Sequence, residues 1–286
     1  MRPPAGSAAW RVGGRDLLAD RPFLLMGVLN VTPDSFSDGG RFLDPGAAVA
    51  QAVRLAEEGA DLLDLGAESS RPGSDPVPAR EEWRRLGPVL EQVRAALPEL
   101  PLSVDTTKAK VARRALDAGA DVVNDISAGR LDPGLLPLVA ERGAALVLMH
   151  MRGVPKTMQE APVYADAPAE VAAELAERLD AARREGVREE RLVLDPGIGF
   201  GKRVEDNLAL LRDLSPLLAL GRPVLVGASR KSVVGALTGA GVEDRLPGTL
   251  ALHVAAFLGG ARLFRVHDVA AHRQALTCAA ALAGKE

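Results

Sequence analysis

The side chains of this sequence that could do chemistry stand at the ends of short apolar runs. Asn30 closes the first run, and Thr32, Asp34, Ser35, Phe36 and Asp38 follow it. The second run leads into Glu68, Ser69, Ser70, Arg71, Pro72 and Gly73. Asp105 and Thr106 follow the third, Asn124 and Asp125 the fourth, and His150 the fifth. After the sixth come Asp195, Pro196, Gly197, Gly199, Phe200, Gly201 and Lys202. Ser229, Arg230, Lys231 and Ser232 follow the seventh, and Arg265, His267 and Asp268 mark the eighth. One polar strand end is ordinary, because Asp or Asn often caps the next helix. A full set of such ends gathered in one place makes a site.

The residue types limit what that site does. Asp105, Asn124 and Asp195 are short acceptors and an amide. Such a trio suits the edge of a planar heterocycle with amino and ring N–H donors, where one carboxylate accepts two parallel bonds. Lys231, Arg265 and His267 offer positive charge to an anion without a Gly-rich phosphate loop. No Gly-x-Gly-x-x-Gly opens a helix after a strand, so a dinucleotide fingerprint is absent. The four histidines, His150, His253, His267 and His272, form no zinc-type pair. An oxygen-ligated Mg²⁺ shared between Asn30 and a pyrophosphate fits better.

Some residues have plainer readings. Asp268 reads as the N-cap of the last helix and Asp125 as a brace for neighbouring loops. His253 and His272 lie in helical stretches and read as structural. Lys202 reads either as a site residue or as part of a shaped turn, with Phe200 offering a face for stacking. Cys278, the single cysteine, reads as a small buried hydrophobe in an alanine-rich helix.

The elements that must position these residues are the runs themselves: 23–29, 62–65, 102–104, 122–123, 145–149, 192–194, 223–226 and 263–266. Their apolar character suits strands buried on both faces of a parallel sheet. Helical spacing fills the gaps: Trp83, Leu86, Val89, Leu90, Val93 and Leu97 share one face, as do Val171, Leu175, Leu179 and Ala182. Glu58–Asp61 and Ala118–Asp121 read as a helix end turning into the next strand. The alternation predicts a (β/α)8 TIM barrel, with a doubly wound open sheet as the alternative. In a barrel of this kind the polar strand ends converge at one mouth.

Residues 1–286 read as one barrel domain, with residues 1–20 an N-terminal hairpin extension. Trp10–Leu18, around Gly13-Gly14, is placed to plug the barrel bottom. The net charge of -3 argues against a nucleic-acid or anionic-membrane partner. A lone cysteine forbids an internal disulfide framework, and Met1–Asp16 has no apolar signal core. A soluble cytoplasmic protein is the expectation.

The motifs also resemble a known family. Residues 27–40, Gly-Val-Leu-Asn-Val-Thr-Pro-Asp-Ser-Phe-Ser-Asp-Gly-Gly, are similar to the first signature of dihydropteroate synthases. Glu68–Gly73, Ser103–Thr106, Asn124–Ile126, Asp195–Lys202, Ser229–Ser232 and Arg265–Asp268 resemble the later ones, in the family's order and over nearly the whole chain. The resemblance implies a pterin-binding barrel, usually a homodimer. Such a barrel joins 6-hydroxymethyl-7,8-dihydropterin pyrophosphate to p-aminobenzoate. It implies the pterin against Asp105, Asn124, Asp195 and Lys231. It implies pyrophosphate near Asn30, Arg265 and His267, with Mg²⁺ at Asn30. It implies p-aminobenzoate near Ser70, Pro72, Phe200, Lys231 and Ser232, under loops carrying Phe36, Asp38 and Arg71. Asp38, Asp105, Lys231, Arg265 and His267 are the implied catalytic set. One departure is Ser70, where the family usually carries threonine. Two rival readings remain: a pterin-dependent methyltransferase on the same barrel, and a catalytically dead pterin-binding paralogue.

Overall fold

A computed structural model describes residues 9–31 and 45–284 of the chain. Thr32, Asp34, Ser35, Phe36 and Asp38, all singled out above, lie outside the described residues. Two short antiparallel strands, β1 (Arg11–Val12) and β2 (Arg15–Asp16), come first. Gly13 and Gly14 join them with φ of 55° and 85°. Left-handed backbone at both central positions is what a tight hairpin matching the strand twist needs.

The barrel strands follow: β3 (Leu24–Asn30), β4 (Leu62–Gly66), β5 (Leu102–Asp105), β6 (Val122–Asp125), β7 (Ala145–Met149), β8 (Leu192–Asp195), β9 (Leu225–Val226) and β10 (Leu263–Val266). All pair in parallel in the order β8-β7-β6-β5-β4-β3-β10-β9, and a parallel bridge from Leu194 to Val224 joins the two ends. Sequential order with closure is a barrel. A doubly wound sheet would reverse its strand order and keep two edges. Around it lie α1 (Pro45–Glu57), α2 (Ala79–Ala96), α3 (Ala109–Asp117), α4 (Leu135–Arg142), α5 (Ala167–Arg184), α6 (Val204–Arg212), α7 (Ser215–Leu218), α8 (Ser232–Thr238), α9 (Leu246–Leu258) and α10 (Val269–Leu282). The stripe read on α2 buries Leu86, Val89, Leu90 and Val93, and that on α5 buries Val171, Leu175, Leu179 and Ala182.

Alternation along the strands sorts side chains into two cores. Leu63, Leu65, Val104, Val123, Leu146, Leu192 and Phe264 face outward and pack in the layer beneath the helices. Leu24, Met26, Leu62, Val122, Val147, Val193, Leu225 and Leu263 face the barrel axis and pack with Trp10, Val12 and Leu18 of the hairpin segment. The period of two then carries the inward face from apolar to polar within one step. Asp64 follows Leu62, Asn124 follows Val122, Asp195 follows Val193 and Arg265 follows Leu263.

Two readings change here. Cys278 is exposed, because α10 buries Val269, His272, Leu276, Ala279 and Ala280 and leaves position 278 off that stripe. Asp268 occupies the N-cap position of α10, but its side chain caps nothing. Its two oxygens accept from Arg230, at 2.7 and 3.1 Å. His253 and His272 are fully buried, in keeping with a structural role.

Candidate active site

The strand ends open into one cavity. Of the residues singled out from sequence, Ser70, Asp105, Asn124, Asp195, Phe200, Lys231, Arg265 and His267 line it. Asn30 ends β3 at the same mouth, half-buried, without lining the cavity. Arg71, Pro72 and Ser232 are exposed and do not line it either. The loop carrying Ser70 to Pro72 is held at its base, where Glu68 accepts from the Val77 N–H at 2.8 Å. Its tip reaches a second loop through a bond from the Gly73 N–H to the Pro155 carbonyl at 3.0 Å.

One side of the cavity is a charged lattice. The Arg265 guanidinium donates from Nε to Asp64 at 2.6 Å and from Nη2 to Asp105 at 3.0 Å. The same Asp64 oxygen accepts from Asn124 Nδ2 at 2.9 Å. Burial pushes the Asp105 carboxyl above its ordinary range, against the pull of Arg265. Burial does the same to Asp195, whose Oδ1 accepts from the Gly197 N–H at 2.7 Å. Gly197 sits at φ 67°, and a Cβ there would stand 1.9 Å from the His150 carbonyl oxygen. Only glycine lets the chain turn tightly enough to bring that N–H under Asp195.

Part of the lining is apolar. Ile126, Met149 and Phe200 face the cavity and pack with Met151 and Met158 behind them. The Lys231 ammonium stands 3.9 Å over the Phe200 ring. Burial and the nearby Arg265 charge pull this ammonium below its usual range, while Asp195 and Asp105 oppose the shift. Arg230 just before it holds φ at 58°, an uncommon conformation for a residue with a side chain, and its pair with Asp268 fixes that turn.

His267 differs from its sequence reading as a cation. Burial, with Arg265 and Arg230 nearby, holds its imidazole down to about 3. The Ser229 hydroxyl accepts from the His267 backbone N–H at 3.3 Å and lies 2.9 Å from Nδ1. When the hydroxyl proton goes to Nδ1, the ring N–H sits on Nε2. A neutral imidazole is still a hydrogen-bond donor to an anion.

Lys202 belongs to the turn. Its buried ammonium reaches the carbonyls of Gly197 and Phe200 at 3.0 and 3.1 Å, and His150 Nδ1 at 2.9 Å. Asp125, read as a brace for neighbouring loops, braces its own loop through Ser127 and Gly129.

A cavity lined by apolar side chains, by the carboxylates Asp105 and Asp195 and by the cations Lys231 and Arg265 fits a planar nitrogen heterocycle bearing an anion. The sequence profile of the family described as pterin binding enzyme matches residues 26–267. The chain is 46% identical to the dihydropteroate synthase of Synechocystis sp. over 90% of this chain and 89% of that one. It is 45% identical to that of Escherichia coli over 86% of each. The chain belongs to the dihydropteroate synthase family of pterin-binding enzymes.

The family's fold is shared as well. A dihydropteroate synthase of Xanthomonas albilineans, solved with 4-aminobenzoic acid, superposes with a TM-score of 0.89 at 50% identity, covering 97% of this chain and 98% of that one. Against that family fold, the sequence reading missed several residues of the site. Asp64 was hidden inside an apolar run. Ile126, Met149 and Ile198 look like ordinary core residues in sequence.

Proposed function

We propose that this chain condenses 6-hydroxymethyl-7,8-dihydropterin pyrophosphate with p-aminobenzoate, giving 7,8-dihydropteroate and pyrophosphate. The observation that carries the reading is the adjacency of ring acceptors and anion donors. Asp105 and Asn124 stand beside Arg265 within one lattice, and Asp195 faces the same cavity. The pterin edge donates to Asp195 and to the Asn124 carbonyl oxygen, while Lys231 meets its acceptors. Ile126, Met149 and Phe200 cover its face. Arg265 and His267 Nε2–H hold the pyrophosphate.

The bond from the exocyclic CH2 to the pyrophosphate oxygen breaks, and its electron pair leaves with the pyrophosphate. The electron-rich dihydropterin spreads the positive charge left behind, and the Asp105 carboxylate opposes that charge in a water-poor site. The p-aminobenzoate nitrogen, neutral at pH 7, forms the new C–N bond and then loses one proton. Its pocket lies on the Ser70 and Phe200 side. The family resemblance adds Arg71, Pro72 and Ser232 to the proposed amine side, and it implies Phe36 and Asp38 there too, which lie outside the described residues.

Mg²⁺ is proposed at Asn30. No group of three His, Cys, Asp or Glu side chains able to hold a metal occurs among the described residues. One amide oxygen at the mouth suits an ion that keeps water and phosphate oxygens as its other ligands. When bound, it would neutralise the leaving pyrophosphate. A homodimer is proposed from the family resemblance. A cytoplasmic location is proposed from the single cysteine, and no described helix is long and apolar enough to cross a membrane.

The test is pyrophosphate release that requires both substrates. A methyltransferase or an inactive binding protein would release none. Arg265→Ala should cut turnover of the pyrophosphate ester by about a hundredfold while weakening the uncharged pterin alcohol far less. Equal losses for ester and alcohol would remove Arg265 from the anion site.

A further inference from the structure

Asp64 has no exposure, stands in the middle of β4 and does not line the cavity. Its lower neighbour on the inward face, Leu62, is an ordinary core residue. A buried carboxylate is costly unless paired, and an apolar side chain of similar size would serve packing as well. Among the described residues, the two hydrogen bonds that Asp64 accepts come from residues that line the cavity. Oδ2 takes Arg265 Nε at 2.6 Å and Asn124 Nδ2 at 2.9 Å, while Oδ1 is buried with no partner among the described residues.

We propose that Asp64 is a positioning residue that fixes the donor directions of Arg265 and Asn124 together, and so couples the anion-binding half of the cavity to its ring-binding half. The inference rests on the functional reading given above.

The geometry explains each arm. A carboxylate is acceptor-only, so the Asn124 amide must turn its NH2 toward Asp64 and keep its carbonyl oxygen for another direction. That removes the ambiguity of an amide facing a ligand. Arg265 is gripped at Nε, which sets the plane of the guanidinium and leaves for an anion the outer N–H groups that Asp105 does not take. Asp105 also grips Arg265, at the longer distance of 3.0 Å, but Asp105 lines the cavity and faces the substrate. Asp64 holds Arg265 from a position no substrate reaches.

The test uses the full-length chain with two probes measured by calorimetry: inorganic pyrophosphate with Mg²⁺, and the unphosphorylated pterin alcohol. Asp64→Asn should weaken both by about tenfold or more. Adding Asp64→Asn to Arg265→Ala should weaken pyrophosphate by less than about twofold further, and adding it to Asn124→Ala should do as little to the pterin alcohol. Such non-additivity is not produced by a general loss of structure. Asp64→Glu keeps the charge but moves the carboxylate by one methylene, and it should also weaken both probes with an unchanged melting temperature. Additive losses, or parent-level affinity for both probes in either variant, would overturn the proposal. So would failure of both variants to fold, which would make Asp64 an element of stability alone. A parent chain that binds neither probe would count against the functional reading itself, before any Asp64 variant is compared.

Discussion

The two ends of the barrel are built from the same strands to opposite rules. At the N-terminal end, Trp10 of the hairpin segment is fully buried with Leu62, Val122, Val193 and Leu263, and its Nε1–H donates to the Arg191 carbonyl at 3.2 Å. At the C-terminal end, two residues further along those strands, Asp64, Asn124, Asp195 and Arg265 face the same axis. The lower end buries apolar surface, which stabilises the chain. The upper end holds carboxylates and cations out of water, which opposes folding unless every pair is made. Burial raises the Asp105 and Asp195 carboxyls and lowers the Lys231 ammonium, so the cost of desolvation is visible in the site. Stability and function are thus separated by about two residues of strand.

Substitutions at each end can break this contrast. Trp10→Ala should have the largest effect on stability, a loss of roughly 3–5 kcal/mol in denaturant unfolding. The turnover of the remaining folded enzyme should not change; a matching fall in kcat would show that the two ends are coupled. Asp195→Asn should do the reverse. The variant keeps its melting temperature or gains slightly, and pterin affinity falls about a hundredfold, on the order of 3 kcal/mol, because a donor now faces ring donors. Near-parent pterin binding by a folded Asp195→Asn would remove the ring-recognition role.

A smaller effect comes from pH. The folded His267 imidazole lies at about 3, below its ordinary 6.5. The unfolded chain therefore takes up a proton below pH 6.5 while the folded chain does not. The contribution is fully present above pH 6.5 and is lost as pH falls toward 3. Between pH 7 and 5.5 the loss is about 1.2 kcal/mol, and His267→Asn should flatten the unfolding profile over that range by this amount. An unchanged profile would mean that His267 is charged in the folded enzyme. Smallest of all is the exposed thiol at the barrel's outer surface. Blocking Cys278 with a small alkylating reagent should leave both melting temperature and turnover at parent values.

Much of this molecule could be read from its order of residues. Continuous apolar runs are the mark of strands buried on both faces, so every barrel strand was found, with ends within a residue or two. Polar residues placed directly after those runs mark the catalytic mouth of a barrel, so Asp105, Asn124, Asp195, Arg265 and His267 were legible. The first signature, residues 27–40, identifies the family by its residues alone, although most of it lies outside the described residues.

Closure of the sheet decided the rest. Whether a strand residue faces the axis or the helices depends on a parity that a run of leucines does not display. Asp64 therefore looked like an interruption in Leu62–Leu65 until the barrel turned it inward, under Arg265 and Asn124. The charge of His267 was likewise undetermined in sequence. Its residue type permits a cation, but burial beside Arg265 forbids one, and that neighbour comes only from the folded strand ends. Asp268 met Arg230 instead of its own helix, and Cys278 faced solvent instead of the core, for the same reason. Local pattern fixes which elements form, because propensity and period act between near neighbours. Partners in space, and with them protonation and donor direction, belong to contacts between residues far apart in the chain.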